Sequence, residues 1–441
     1  MKKLLSYISL LSVRGALVVG GVCFTIVLAR GLSIEAFGAI MLALTIFQAM
    51  LVIGRLGFEQ YTIRTVGALH ETPDKTAIKA HFNAAFQSLL ITSIILYAAY
   101  QAVLYFAGSH IDHNVRGHLS LLFVFLYPFN LMICFSAAMK GLRHPVWGAL
   151  GELSGINALA VLPLGALMFI GNMTAQNALW SYILSCSIIT VLYLVKLRGN
   201  FALTFYKKKG ERKGLTAKVT PFYIVSLLDF VFLWAPILIL GGFEGNEEVA
   251  LFSAALRIAR MTSLLVTIAN TVTMPKYSSF GIKKDRDQLI NLAAKSTLLT
   301  TIPAVAFSTL VLLLPEQILG IWGNDYVTAS SMLGILVVAE VISVAAGPLG
   351  PLLSMATHPR SIRNLQTVGA ATCVILQLSM IIWFGAIGAC LAVLLNIIVI
   401  NGVANFLCQR ALKVNTLTLW RHILTMNNNR VTLKERRHGK Q

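Results

Sequence analysis

The 441-residue sequence is short of charge: Asp, Glu, Lys and Arg make up 12% of it, against 57% hydrophobic residues. Acidic residues are the scarcer kind, 17 against 36 Lys and Arg. A soluble globular domain carries roughly 25% charged residues, so this composition excludes one. Nucleotide-hydrolysis machinery is missing too, since no G-x-x-x-x-G-K-[ST] loop occurs. There is no H-E-x-x-H, no C-x-x-C and no Cys/His cluster, so no cofactor or metal is expected. The six cysteines fall inside apolar runs and read as small buried hydrophobes. Long external loops are also lacking, the longest being 315–328. That leaves little room for a catalytic domain, and the chain is not expected to be an enzyme.

What is present is a series of apolar runs of about 20 residues, each long enough to cross ~30 Å of hydrocarbon, with a mean hydropathy of +0.76. The fold class is therefore an all-α polytopic membrane protein, since a barrel would show short alternating segments instead. About twelve spans are predicted: 9–29, 39–59, 83–106, 118–138, 147–170 and 177–197, then 220–241, 249–273, 289–314, 329–353, 363–384 and 387–409. The opening MKKLLSYISLLSVRGALVVGG has the flavour of a signal peptide. However, Arg14 interrupts its apolar region, which then runs on to Leu28, so it reads as an uncleaved first span.

Orientation follows from Lys and Arg. With both termini cytoplasmic, only Arg30 and Arg116 fall in external loops. Arg14, Arg55, Arg257, Arg260 and Lys295 are embedded, which leaves 29 of the 36 cations in cytoplasmic loops and tails. The net charge of +19 is thus topology and not a nucleic-acid footprint. The longest hydrophilic break, KLRGNFALTFYKKKGERKGLTAK at 196–218, divides the chain near its middle. The predicted organisation is an N-terminal six-helix bundle 1–198, a basic cytoplasmic linker 199–218, a C-terminal six-helix bundle 219–410 and a basic tail 411–441. EAFGAIMLAL (35–44) is similar to EEVALFSAAL (247–256) at an offset of 212, and with it Arg64 matches Lys276. This points to two related halves, as many transporters have, with chance likeness of two apolar helices as the competing reading. In the tail, LTLWRHIL (417–424) reads either as a short helix on the inner leaflet or as part of an ordinary basic tail.

The embedded charges carry the functional signal. A central Arg in a span costs about 2.5–3.5 kcal/mol, so such residues face a bundle interior or a wet cavity. Arg257 and Arg260 are three apart and project from one helix face. Asp229 in span seven lies at nearly the depth of Arg260, so a structural pair between them competes with a ligand role. Glu340 is central in span ten, and Glu152 and Lys295 lie a turn or two into their spans. Arg14 is low in span one, and Arg55 and Glu59, four apart, are placed to pair. Two arginines on one helix favour an anionic ligand, and the guanidinium fork suits phosphate. Arg257, Arg260, Arg14 and Lys295 are the candidate substrate-binding residues. Asp229, Glu340, Arg55 and Glu59 are candidates for ion coupling or structural pairing.

ARGLSIEAFGAIMLALTIFQAMLVIGRLGFEQYTIRTV (29–66) resembles the opening of Wzx-type O-antigen and polysaccharide-unit flippases. AAMKGLRHPVWGALGEL (137–153) resembles that family's connection between spans four and five, and MPKYSSF (274–280) its Pro-containing exit from span eight. The resemblance implies the multidrug/oligosaccharidyl-lipid/polysaccharide exporter superfamily: two six-helix bundles around a central cavity, working by alternating access. It implies as substrate an oligosaccharide unit of O-antigen, lipopolysaccharide or capsule on undecaprenyl diphosphate, flipped across the bacterial inner membrane. Membrane lipids, and the polysaccharide polymerase machinery, are the other partners it implies. It carries no catalytic motif to transfer, and its cationic cavity matches Arg257 and Arg260 by position. The alternatives are a cation-coupled multidrug exporter of the same superfamily, whose cavity should be acidic, and a polymerase or ligase acting on lipid-linked sugars. A lipid II flippase usually has two more spans.

The loop bias makes a direct prediction. A reporter active only in the cytoplasm, fused at Gln441, should be active, and one active only outside should work at Asn246. Activity of the external reporter at Gln441 would overturn the orientation.

Overall fold

The structure is a computed structural model and describes residues 2–71, 75–107, 112–197, 215–282, 285–356 and 359–425. Most of the basic linker and the tail beyond Thr425 lie outside the described residues. Among the described residues, helices are the regular structure and no strand occurs. Hydrocarbon offers no partner to a peptide group, and an α-helix satisfies its own.

Among the described residues, nine helices are long and apolar enough to cross a membrane, or ten if one bent pair counts as a single span. That pair, α5 (His113–Val124) and α6 (Leu126–Gly141), bends by 58° at Phe125. The protein is a polytopic all-α membrane protein. Several predicted spans are not single rods. Span eight is split into α11 (Asn246–Met261) and α12 (Leu264–Ile282), and span ten into α15 (Ser330–Ala345) and α16 (Leu349–Ala356). Spans eleven and twelve form one continuous element, α17 (Pro359–Leu412), that turns back at Gly385 with φ 58°. The two arms run antiparallel: Thr372 Oγ1 donates to Asn396 Oδ1 at 2.7 Å and Gln377 Nε2 to the Ala389 carbonyl at 3.2 Å.

The chain divides into two compact units. The first comprises Met1–Ala250 with Ile321–Gly323, the second Leu251–Gly320 with Asn324–Gln441. This division falls inside α11 and not at the linker. The reason is α10 (Leu215–Phe243), the predicted first span of the C-terminal bundle, which packs on α2 (Ile34–Arg55) and α3 (Phe58–Glu71). Phe230, Leu227, Trp234 and Leu238 of α10 close on Ala49, Val52 and Met50 of α2.

The first unit also holds α1 (Lys2–Gly31), α4 (Lys75–Ala107), α7 (Pro145–Leu150), α8 (Leu153–Ile170) and α9 (Ala175–Leu197). Helix α1 lies along α8, and small residues let them approach: a Cβ on Gly20 would fall 2.4 Å from that of Ala158. Phe47, Phe129 and Tyr182 stack through the interior. The second unit adds α13 (Arg286–Leu313), α14 (Pro315–Leu319), a 3₁₀ turn (Asn324–Ala329) and a last helix, α18, over 416–425. Its core gathers Tyr277, Leu289, Leu352, Leu365, Cys408 and Leu419. Outward-facing aromatics such as Phe106, Phe169 and Trp383 stand at the ends of long helices, where a membrane's polar boundary accepts them.

Helix positions repeat along the chain. The ends of α1 and α10, Gly31 and Phe243, are 212 residues apart, and so are the starts of α2 and α11, Ile34 and Asn246. That is the offset between the two similar decapeptides.

Gly38, in the first turns of α2, meets the start of α11 so closely that a Cβ would lie 1.7 Å from the Asn246 carbonyl oxygen. Gly15 has nothing within 4 Å of such an atom. Gly38→Val should cost at least about 3 kcal/mol by overpacking, seen as a fall of several degrees in the melting temperature of purified protein. Gly15→Ala should leave it unchanged or slightly raised. Equal behaviour of the two variants would show that the close approach does not matter.

Candidate functional site

Two groups of charges stand inside the helical units, one in each. Both are built at places where helices stop.

In the second unit, α11 is apolar and closely packed, with Val249, Phe252, Ala255 and Ala259 fully buried. Arg257 and Arg260 leave it on one side and are half-buried. The helix ends one residue after Arg260. Thr262 and Ser263 turn the chain through bonds from the Thr262 N–H to the Ala259 carbonyl and from the Ser263 N–H to the Arg260 carbonyl. The Ser263 hydroxyl also donates to the Arg260 carbonyl, at 3.1 Å. Hydroxyl side chains compete in this way with the helical ladder. Thr262 Oγ1 lies 3.4 Å from Ser308 Oγ of α13, which pins the turn. Helix α12 then starts at Leu264, and a helix start offers backbone N–H groups with no partner inside the helix.

The acid beside this turn is Glu340 of α15. It interacts electrostatically with Arg260 and with the Ser263 side chain. Arg257 in turn feels the Arg260 charge. Arg257, Arg260, Ser263 and Glu340 therefore form one local group. Asp229, weighed from depth alone as the partner of Arg260, is exposed on α10 in the first unit. Lys295 is exposed on α13 and joins neither group among the ion pairs of the described residues.

In the first unit, five charges link into a chain. Arg55 Nη1 bonds Glu59 Oε2 at 3.0 Å, Glu59 Oε1 meets Lys140 Nζ at 3.7 Å, and Lys140 Nζ meets Glu152 Oε1 at 3.2 Å. Glu152 Oε1 then meets Arg14 Nη2 at 3.5 Å. Arg14, nominated for substrate, thus has a carboxylate partner. Four of the five occupy helix ends of the favourable sign. Arg55 and Lys140 are in the last turns of α2 and α6, Glu59 is in the first turn of α3, and Glu152 is at the N-cap of α8. The helix dipole favours cations at C-termini and acids at N-termini. The local breaks have identifiable causes. Leu56 (φ 50°) and Gly57 (φ 81°) end α2 in left-handed conformation. A Cβ on Gly151, between α7 and α8, would be 2.7 Å from Ser136 Cβ and from the Tyr193 hydroxyl. Lys140 lies between predicted spans four and five, and its place in the last turn of α6 is shown only by the structure.

These geometries can be set beside known proteins. The pattern described as "polysaccharide biosynthesis protein" matches residues 6–281, a stretch that includes Arg14, the whole ion-pair chain, Arg257 and Arg260. The probable low-salt glycan biosynthesis flippase Agl15 of Haloferax volcanii is 22% identical over 255 residues, 56% of this chain and 52% of that protein. The succinoglycan biosynthesis transport protein ExoT of Rhizobium meliloti is 24% identical over 340 residues, 74% of this chain and 64% of that one. The chain thus spans between half and two-thirds of the length of these relatives. Among solved structures, the lipid II flippase MurJ in an inward closed conformation superimposes with a TM-score of 0.71 at 13% identity, covering 90% of this chain and 87% of that one. An inward-facing multidrug resistance MATE family transporter of the MOP superfamily gives 0.65 at 14% identity, covering 96% and 99%. Likeness at such identities speaks for a shared fold. The matched pattern covers well over half of the sequence, and on that ground the chain belongs to the polysaccharide biosynthesis protein family.

Proposed function

We propose that this protein is a flippase that carries oligosaccharide units linked to undecaprenyl diphosphate across the bacterial inner membrane by alternating access. Twelve crossings and cytoplasmic termini are part of this reading, and the loop charges support the orientation. The observation that carries it is the pair Arg257 and Arg260 at the end of a helix that stops inside a predicted span. Two relatives bear names of glycan flippase and polysaccharide transport, which supports the same class of substrate. O-antigen, capsule and exopolysaccharide units all share the diphosphate that the arginines would hold.

The chemistry is binding and release, with no bond made or broken in the sugar, so the protein acts as a carrier and not as an enzyme. Each Arg fork can grip two phosphate oxygens. A charge pair at ~4 Å with an effective dielectric of ~20 is worth about 4 kcal/mol. That offsets much of the headgroup's desolvation and still permits release. Glu340 competes with the substrate for Arg260. When Glu340 is neutralised by a proton its hold on Arg260 weakens in favour of phosphate, and when it is ionised the substrate is displaced. This gives ion coupling a place in the cycle.

In a strain lacking this gene, Arg257→Ala should reduce surface polysaccharide about tenfold or more at normal protein abundance, as loss of one charge-assisted contact of at least ~1.4 kcal/mol requires. Arg257→Lys should retain part of the activity, because the charge survives without the two-pronged geometry. Full surface polysaccharide from Arg257→Glu at normal abundance would overturn the assignment. Glu340→Gln should support transport that no longer responds to an imposed proton gradient in vesicles. An unchanged gradient response would remove Glu340 from coupling.

A further inference from the structure

The described chain continues past the last membrane helix. Helix α17 stops at Leu412, Lys413 takes φ 53°, and α18 begins at residue 416. A reciprocal cap fixes its start: the Thr418 N–H donates to Asn415 Oδ1 at 2.7 Å, and the Asn415 N–H to Thr418 Oγ1 at 2.8 Å. The Thr416 N–H donates to Asn405 Oδ1 at 2.8 Å, which ties α18 to the last turns of α17. Its inner face is committed. Leu419 and Ile423 are buried with Val414, Leu349 and Cys408 in the core of the second unit.

The opposite face has no such cover. Leu417 is 66% exposed and Leu424 63%. Arg421, between them, is exposed as well. At about 100° per residue these three side chains fall within an arc of roughly 60°, opposite Leu419 and Ile423. Two leucines flanking an arginine make a poor surface for water. The surrounding charge is one-sided. Arg410 and Lys413 are exposed beside α18, and the sequence from Ala411 onward has seven cations and a single acid, Glu435. The site begins four residues past the end of a membrane-spanning helix, so the bilayer boundary is its nearest large surface.

We propose that the outer stripe of α18 lies on the anionic surface of the bilayer, with Leu417 and Leu424 entering the acyl boundary and Arg421 on lipid phosphates. An amphipathic helix binds such a surface by apolar burial and charge together. The proposal does not depend on which substrate the protein moves.

The test uses the full-length protein in nanodiscs. Leu424→Cys, made on a Cys23→Ser background because Cys23 is the one cysteine of six that is not buried, is labelled with a polarity-sensitive fluorophore. Discs are made of phosphatidylcholine alone or mixed with phosphatidylglycerol. In the mixed discs the label should shift to the blue and be quenched by nitroxides on lipid chains more than by a water-soluble quencher. Arg421→Glu should lower the ratio of inserted to free label at least about fivefold in the mixed discs, with little change in the neutral ones. A purely structural role for Arg421 would give no dependence on lipid charge. A label reached equally from water in both kinds of disc would overturn the proposal. So would a label shielded only in discs that hold two copies, which would make a second copy of this chain the occupant.

Discussion

A charge inside a membrane protein needs a partner, and a helix that stops needs one too. These two demands meet in the same places here. Arg55 and Glu59 flank the left-handed turn at Leu56 and Gly57, Lys140 closes α6, Glu152 caps α8, and Arg260 stands one residue before the end of α11. Terminal carbonyls attract cations and initial N–H groups attract acids. Each break is therefore also the cheapest place in the span to keep an ion. The helical architecture follows from the backbone's need for internal bonds, and the exceptions to it locate the chemistry.

The two units spend their cations differently. In the first, signs alternate along the chain Arg14, Glu152, Lys140, Glu59, Arg55, with successive contacts between 3.0 and 3.7 Å. Opposite charges held so closely tie together five helices, α1, α2, α3, α6 and α8. In the second unit two like charges adjoin on one helix face, an arrangement that repels at this spacing. Glu340 interacts with Arg260, and the Arg260 charge acts on Arg257. The first arrangement alternates in sign, and the second sets two cations of one helix beside an acid of another.

Much of this was legible in the residues, and the limits were physical. Hydropathy located the apolar runs, and the offset of 212 recurs in the helix starts. The i to i+4 spacing of Arg55 and Glu59 foretold their contact, which survives although the helix breaks between them at Leu56 and Gly57. Arg14 and Glu152 are 138 residues apart, and their contact depends on α1 lying along α8. No local pattern reveals that. Lys140, central to the chain, lies between predicted spans four and five, and its contacts were hidden for the same reason. The break at Thr262 and Ser263 escaped because a hydropathy window does not register two hydroxyl residues among leucines. Depth along a span put Asp229 level with Arg260 but has no azimuth, so it did not single out Glu340, whose charge acts on Arg260.

The break in span ten links α15, which carries Glu340, to α18. Gly347 (φ 85°) and Pro348, which has no N–H, stop α15 five residues beyond Glu340. The carbonyls released there are taken up from outside the helix: Trp420 Nε1 donates to Ala345 at 3.0 Å and Thr416 Oγ1 to Ala346 at 3.1 Å. Leu419 lies close enough to Gly347 that a Cβ there would come within 3.0 Å of it. An unmet buried carbonyl costs about 1–3 kcal/mol. The end of α15 is thus held in place by α18, a helix that itself follows the last membrane span. Glu340 and the stripe of Leu417, Arg421 and Leu424 thus stand on two helices, α15 and α18, joined by these hydrogen bonds.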